Sequence, residues 1–263
     1  MKKFLNHLRI STVLAAVTLA GCATSGDPRD PIEGFNRGVY DFNDGFDAYV
    51  LNPVAKGYYA ITPAPVDKGI SNFFSNLNDV TVAFNDLLQF KFQHAAGDVG
   101  RVVINSTIGI LGFMDVATRL DLEKHDEDFG QTLATWGVGS GPYLVLPFLG
   151  PNTARGTGGL LVDSFVDPIN QIDHIPTRTA VTAIKIIDLR ADLLALDDIK
   201  DVITKGVDPY DVVKDAYLQR RTWLIYDGEP PELDDDEYGD DGYGDEDEAY
   251  DNDEQDVNVS TES

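Results

Sequence analysis

Residues 30–49 read Asp30-Pro31-Ile32-Glu33-Gly34-Phe35-Asn36-Arg37-Gly38-Val39-Tyr40-Asp41-Phe42-Asn43-Asp44-Gly45-Phe46-Asp47-Ala48-Tyr49. Within this stretch Ile32, Phe35, Val39, Phe42, Phe46 and Tyr49 recur at alternating steps of three and four, the spacing of one face of an α-helix. Asp30 is placed to act as N-cap and Pro31 to occupy the first helical position. Gly34, Gly38 and Gly45 weaken the segment intrinsically, so it needs tertiary or membrane packing to persist.

Toward the C-terminus the same period returns repeatedly. Beyond Pro63 and Pro65, Val66, Ile70, Phe73 and Leu77 predict a second helix, and Val80, Phe84, Leu87 and Leu88 a third. From Ala95 to Ala117 the chain is more apolar and is interrupted by Gly109 and Gly112, which predicts a buried or membrane-contacting helix with a kink or break. Phe129 to Pro151 is no ordinary helix. Gly137, Gly139, Gly141, Pro142, Pro147, Gly150 and Pro151 exclude a continuous helical ladder, and a compact loop or hairpin is expected, buried or dipped into lipid. Helical spacing resumes at Ile186, Leu189, Leu193, Leu196, Ile199 and Ile203, and a last helix is expected from Asp208-Pro209 through Val213, Tyr217 and Leu224. The expectation is an all-α domain over residues 30–226 carrying a Gly/Pro-rich hairpin, without internal repeats.

Toward the N-terminus, Lys2, Lys3 and Arg9 precede the apolar run Val13-Leu14-Ala15-Ala16-Val17 and the small residues Ala20-Gly21, the pattern of a secretory signal peptide over 1–21. Its apolar stretch is roughly half of the ~20 residues a membrane-spanning helix needs. Cys22, the single cysteine, cannot make an internal disulfide and follows Leu19-Ala20-Gly21, which resembles the lipobox of bacterial lipoproteins. Lipid attachment at Cys22 is therefore expected, with 22–29 as an anchored linker. Several acyl chains on one residue make anchoring stable where one does not. By resemblance to sorting in enteric bacteria, Ala23 after the cysteine points to the outer membrane.

The formal charge of −25 is unevenly distributed, because Asp227 to Ser263 holds 18 acidic residues and no Lys or Arg. That segment lacks the aliphatic residues to bury a core, and it is expected to be a disordered acidic tail. Residues 22–226 carry 27 acids against 17 bases. No basic stripe is left to displace counterions from a phosphate backbone, which excludes nucleic acid as a partner.

Catalytic and metal motifs fail on inspection. Gly139-Ser140-Gly141 lacks the flanks of a nucleophile elbow, and Gly137-x-Gly139 is not completed by a glycine at 142. His94, His125 and His174 are not paired at ligand spacing on a helix, so neither a metal nor a cofactor is expected. Asp128-Phe129-Gly130 matches a kinase triplet without the phosphate loop or catalytic loop that give it meaning. His125-Asp126-Glu127-Asp128 could attract a divalent cation, but a solvated acidic turn is the expected reading.

Six motifs in order resemble the MlaA (VacJ) family: residues 30–37 as quoted, Asn72-Phe73-Phe74-Ser75-Asn76-Leu77, Asn105-Ser106-Thr107-Ile108-Gly109, Glu127-Asp128-Phe129-Gly130-Gln131-Thr132-Leu133, Trp136-Gly137-Val138-Gly139-Ser140-Gly141-Pro142-Tyr143, and Leu146-Pro147-Phe148-Leu149-Gly150-Pro151. Together they span most of residues 30–226. The resemblance implies a ring-like helical protein embedded in the periplasmic leaflet of the outer membrane, with an amphipathic channel through its middle. It implies a non-enzymatic lipoprotein seated beside a trimeric porin, one that removes misplaced phospholipids from the outer leaflet and passes them to a soluble periplasmic carrier resembling MlaC. At Ala154-Arg155-Gly156 the chain departs from the family, which usually has an acid after the arginine, so Arg155 is expected to be partnered differently.

Moving a two-tailed lipid requires an apolar exterior and a wet path for the head group. Polar groups at membrane depth are tolerated where they face protein or a water-filled cavity. Asn36, Arg37, Asn43, Asn76, Asn105 and Thr107 are the candidates to line that path, with capping or backbone hydrogen bonding as the alternative role of each. Gly137, Gly139 and Gly141 are candidates for a gate, or serve only tight turns. The alternative to a lipid-transfer channel is a porin-associated structural lipoprotein without transport activity, and a lipid hydrolase is a distant third.

Overall fold

The opening helix is interrupted by a proline, and the backbone makes room for it. Helix α1 (Glu33–Phe46) continues through a π-helical turn at Asp47–Leu51 into α2 (Asn52–Ile61). Pro53 has no N–H, and its ring crowds the carbonyl four residues back at Tyr49. The wider π turn, in which the Asn52 N–H bonds back to the Asp47 carbonyl, relieves that crowding. The computed structural model describes residues 26–231, so the signal peptide, Cys22 and the acidic tail past residue 231 lie outside the described residues. Every described element belongs to the unit Met1–Pro230.

Helix α3 (Ala64–Leu88) turns back through residues 89–91 into α4 (Phe92–Thr107), and the two pack along their length as an αα-hairpin. A one-turn 3-10 helix, Thr118–Leu120, and an extended stretch lead to α5 (Phe129–Thr135). The antiparallel hairpin of β1 (Tyr143–Leu146) and β2 (Gly150–Thr153) follows, in the register Tyr143↔Thr153 to Leu146↔Gly150. Then come α6 (Ala154–Val166), α7 (Ile175–Asp192), α8 (Asp197–Ile203) and α9 (Pro209–Ile225). The neighbours in space are α5 with α6, α2 with α7, α1 with β1, and α9 with α5 and β2. Among the described residues no helix is long and apolar enough to cross a membrane.

Several boundaries differ from expectation. Helix α1 begins at Glu33 because the Asp30 carboxylate is fully buried and accepts from Asn36 Nδ2 (2.7 Å) and from the Tyr210 hydroxyl (2.5 Å), a tertiary role in place of a cap. The second and third helices are one helix of 25 residues, since nothing between Val66 and Leu88 breaks it. Helix α4 ends at Thr107 and the chain turns through left-handed Ile110, Leu111 and Gly112. The glycine-rich stretch Phe129 to Pro151 holds a short helix, α5, before its hairpin. Asp128 caps that helix by accepting from the Gln131 N–H at 2.9 Å. Helix α6, with Gly156, Gly158 and Gly159, is not marked by any apolar period. The last helix starts as expected, with Asp208 accepting from the Tyr210 N–H at 3.0 Å and Pro209 at the first position.

Candidate functional site

The interior is polar and the surface is apolar. Among the described residues, eighteen polar or charged residues are buried against eleven apolar ones, while thirty-eight large apolar side chains are exposed. Water-soluble domains bury charged groups rarely, so this inverted partition marks a protein whose outer surroundings are not water. The exposed set follows the helices, with Phe35, Phe42 and Tyr49 on the α1–α2 stripe and Val99 and Val103 on α4. The stripe expected from residues 30–49 is split: Phe35, Phe42 and Tyr49 face the exterior, while Ile32 and Phe46 are half-buried and Val39 packs on the Tyr143–Val145–Tyr210 cluster.

The polar interior is organised as a seam between α3 and α4. At one end Asn76 Nδ2 donates to the Ser106 hydroxyl at 3.0 Å. In the middle Arg101, 1% exposed, reaches Asp79 (3.3 Å), Asp115 (3.2 Å), the Thr118 hydroxyl (3.0 Å) and the Leu122 carbonyl (2.6 Å), while Lys124 also binds Asp79. At the far end Asp86 meets Asp98. Burial and then that neighbouring carboxylate push the Asp86 pKa up to about 8. The seam continues toward α5 and α6. Asn85 binds Thr132 (2.9 Å) and Asp163 (2.9 Å), and Gln89 donates to Glu127 at 2.7 Å. Glu127 is itself buried, which overturns the solvated reading of residues 125–128: only Asp126 faces outward there, pairing with Arg220 at 3.3 Å.

The structure divides the sequence-nominated residues between two places. Asn36 is fully buried and ties α1 to the hairpin, donating to the Tyr143 carbonyl (3.0 Å) and accepting from the Val145 N–H (2.9 Å). Asn43 repeats this at the turn, donating to the Leu146 carbonyl (2.9 Å) and accepting from the Phe148 N–H (2.8 Å). Arg37 pairs with Glu33 on its own helix and joins α1 to α9 through Asp208 and Asp211, lying 4.3 Å over the Tyr210 ring. Asn76 and Asn105 belong to the α3–α4 seam. Asn105 Oδ1 accepts from Val116 N (2.8 Å) and Ala117 N (2.9 Å), holding the turn after α4. Thr107 donates to the Val103 carbonyl of its own helix. Asn36, Asn43, Asn105 and Thr107 thus bond backbone groups, whereas Arg37 and Asn76 bond other side chains, and Asn76 Oδ1 alone among the six residues is buried without a partner.

Gly137 ends α5, with φ of +85° and bonds from Gly137 N to Ala134 O and from Val138 N to Leu133 O. Gly141 has φ of +66°, and a Cβ there would lie 2.9 Å from that of Ala154. Gly139 has open space around it and ordinary φ. Gly141→Val is therefore expected to lower the thermal midpoint by several degrees and Gly139→Ala to leave it nearly unchanged, as measured by thermal denaturation. Equal midpoints for the two variants would refute this account of the hairpin base. Arg155, lacking the family's following acid, donates to the Val138 carbonyl (2.9 Å), and its Nε is buried without a partner. Burial and then neighbouring Arg221 lower its pKa. Arg221 itself takes Asp128 in a two-pronged pair at 2.5 and 3.0 Å.

A cavity of about 410 Å³ opens beside α3 and the turn after α4, lined by Pro65, Gly69, Phe113 and Met114 together with the charged Lys68, Arg119 and Asp115. Sequence reasoning did not nominate these residues. The chain reaches Phe113 and Met114 through the left-handed turn at Ile110 and Leu111, which no sequence period reveals.

A family model described as MlaA lipoprotein matches residues 28–223. The chain belongs to the MlaA lipoprotein family. It is 36% identical over 231 residues to the intermembrane phospholipid transport system lipoprotein MlaA of Escherichia coli (strain K12), covering 84% of this chain and 90% of that protein. It is 31% identical over 232 residues to the protein of the same name in Haemophilus influenzae, covering 83% and 90%. A chain solved in work on the structural basis for maintenance of bacterial outer membrane lipid asymmetry superposes with a TM-score of 0.66 at 34% identity, covering 74% of this chain and 98% of that one. The MlaA lipoprotein match takes in the hairpin and every described helix save the last two residues of α9, so the polar seam lies within it.

Proposed function

We infer that this chain is an outer-membrane lipoprotein of intermembrane phospholipid transport that maintains lipid asymmetry, held at the periplasmic face of the membrane by a lipid anchor. The observation that carries this reading is the inverted partition, with Phe35, Tyr49, Val103, Ile110 and Leu161 outward and Asn36, Asp79, Arg101 and Gln131 buried. Acyl chains are the surroundings in which such an exterior is stable, and polar groups at that depth are tolerated where they face protein or a water-filled cavity.

The finer steps are part of the proposal. Cys22 carries the acyl groups. Misplaced phospholipid leaves the outer leaflet by an amphipathic passage through the domain, beside a trimeric porin, and is received by a soluble periplasmic carrier resembling MlaC. Lys68 and Arg119 supply positive charge beside the apolar walls of the cavity, and the one lining carboxylate, Asp115, is already paired with Arg101, a combination that suits a phosphate-bearing head group with two tails. The segment Gly137 to Gly150 borders the path as a gate, and Gly139→Ala tests this, because its space is open and folding is preserved.

The deciding experiment reconstitutes the acylated full chain with a porin in bilayers bearing labelled phospholipid and measures transfer to a soluble acceptor. Transfer above that of porin-only bilayers is expected. Transfer no faster than in porin-only bilayers would overturn the reading in favour of a structural lipoprotein without transport activity.

A further inference from the structure

The α3–α4 seam has a cation at one position and lacks it at the next. Asp79 is fully buried and meets Arg101 and Lys124. Seven residues on, two helical turns along the same face, Asp86 is equally buried, and neither of its oxygens has a hydrogen-bond partner. Opposite it stands Asp98, also fully buried, with Oδ1 likewise unpartnered and Oδ2 2.9 Å from His125 Nδ1. One ligand atom each from Asp86, Asp98 and His125 lies within 4.8 Å of the other two. Lys91 does not resolve the deficit, since its ammonium is engaged by Glu127 (2.7 Å) and Asp227 (2.5 Å). Burying two facing carboxyl groups with three of their four oxygens lacking a donor is strongly unfavourable.

We propose that Asp86, Asp98 and His125 form a binding site for a divalent cation of the Zn2+ class, stapling α3, α4 and the 122–128 segment together. Two carboxylates and an imidazole are a mixed oxygen and nitrogen donor set, suited to borderline ions such as Zn2+ and poorly suited to Ca2+ or Mg2+, which take six or more oxygen ligands or keep an octahedral shell. The spacing of the ligand atoms fits one ion between them at ordinary coordination distances of roughly 2.0–2.4 Å. The His125 ring is stacked on His94 with centroids 4.0 Å apart and planes inclined by 10°, which fixes its orientation toward the carboxylates. A cation there would do for Asp86 what Arg101 does for Asp79.

The test uses the purified full chain in detergent, stripped with a chelator and titrated with Zn2+ by calorimetry, in parallel with the full-length variants Asp86→Asn and His125→Gln. One saturable Zn2+ per chain is expected, with a rise in thermal midpoint on binding. Affinity should fall by more than about 100-fold in either variant, since removing a ligand exceeds the 10- to 100-fold lost with an outer partner. Asp86→Asn also removes the carboxylate conflict, so its metal-free form should melt at or above the metal-free parent while losing the Zn2+ response. That combination separates a lost ligand from a damaged fold. The acidic tail is unchanged in every sample, so weak binding there cancels between parent and variant. Absence of saturable Zn2+ binding to the folded parent, undiminished binding in Asp86→Asn, or equal affinity for Ca2+ and Zn2+ would each overturn the proposal.

Discussion

Arg101→Ala is expected to destabilise the domain by about 3–5 kcal/mol, the penalty for breaking a buried ion pair by removing one partner. The guanidinium spends its donors on Asp79, Asp115, Thr118 and the Leu122 carbonyl, so one truncation strands acceptors on α3 and on the segment after α4. Lys124 keeps part of the charge at Asp79 but cannot replace the fork that spans both sides. Arg101→Lys should therefore fall between parent and alanine variant. Asp79→Leu with Arg101→Met should recover much of the loss, because an apolar pair leaves less buried charge unmatched. Urea unfolding in detergent micelles measures all four proteins. A loss below about 1 kcal/mol for Arg101→Ala would mean that water reaches this seam and that the interior is not dry.

What the sequence made legible follows from which interactions are local. Ile32, Phe35, Val39, Phe42, Phe46 and Tyr49 announce a helix because a 3.6-residue period is a property of neighbouring residues, and Asp208-Pro209 announces a helix start for the same reason. Which face of α1 points inward is a different matter. Ordinary soluble proteins bury the apolar stripe, whereas here Phe35 and Phe42 are exposed and Asn36 is buried, since the exterior is suited to acyl chains. The family motifs carried that inversion, but periodicity could not. The interior bonds were illegible because their partners are distant in the chain: Asn36 with Val145, Asn85 with Asp163, and Asp86 and Asp98 with His125. His125 and Glu127 read as a solvated run beside Asp126 and Asp128, and only the extended path of 121–128 turns alternate members inward. Pro53 and the glycines of α6 hid helical segments, because local propensity argues against helix where tertiary geometry requires it.

Gly159→Ala is the second change of large expected effect, and it would normally be read as helpful. Alanine favours helix over glycine by about 1 kcal/mol, and Gly159 lies inside α6. Its α-carbon, however, faces the backbone of α5. An added Cβ would stand 2.4 Å from Gly130 N, 2.9 Å from Gly130 Cα and 3.1 Å from the Phe129 carbonyl carbon. No side chain can move aside to relieve this, so the two helices must separate. Separation would pull Asp163 away from the Phe129 N–H that it binds at 3.0 Å and disturb the Asp128–Arg221 pair at the same helix end. The cost is expected at or above the upper end of the 1–3 kcal/mol typical of overpacking, about 3 kcal/mol. Gly158→Ala is the internal control, one residue away on the same helix with nothing within 4 Å of its added Cβ. It should stabilise by up to about 1 kcal/mol through helix propensity alone. Thermal and urea denaturation of the two variants should therefore move in opposite directions, and matching shifts would show that α5 and α6 do not meet backbone to backbone at Gly130 and Gly159.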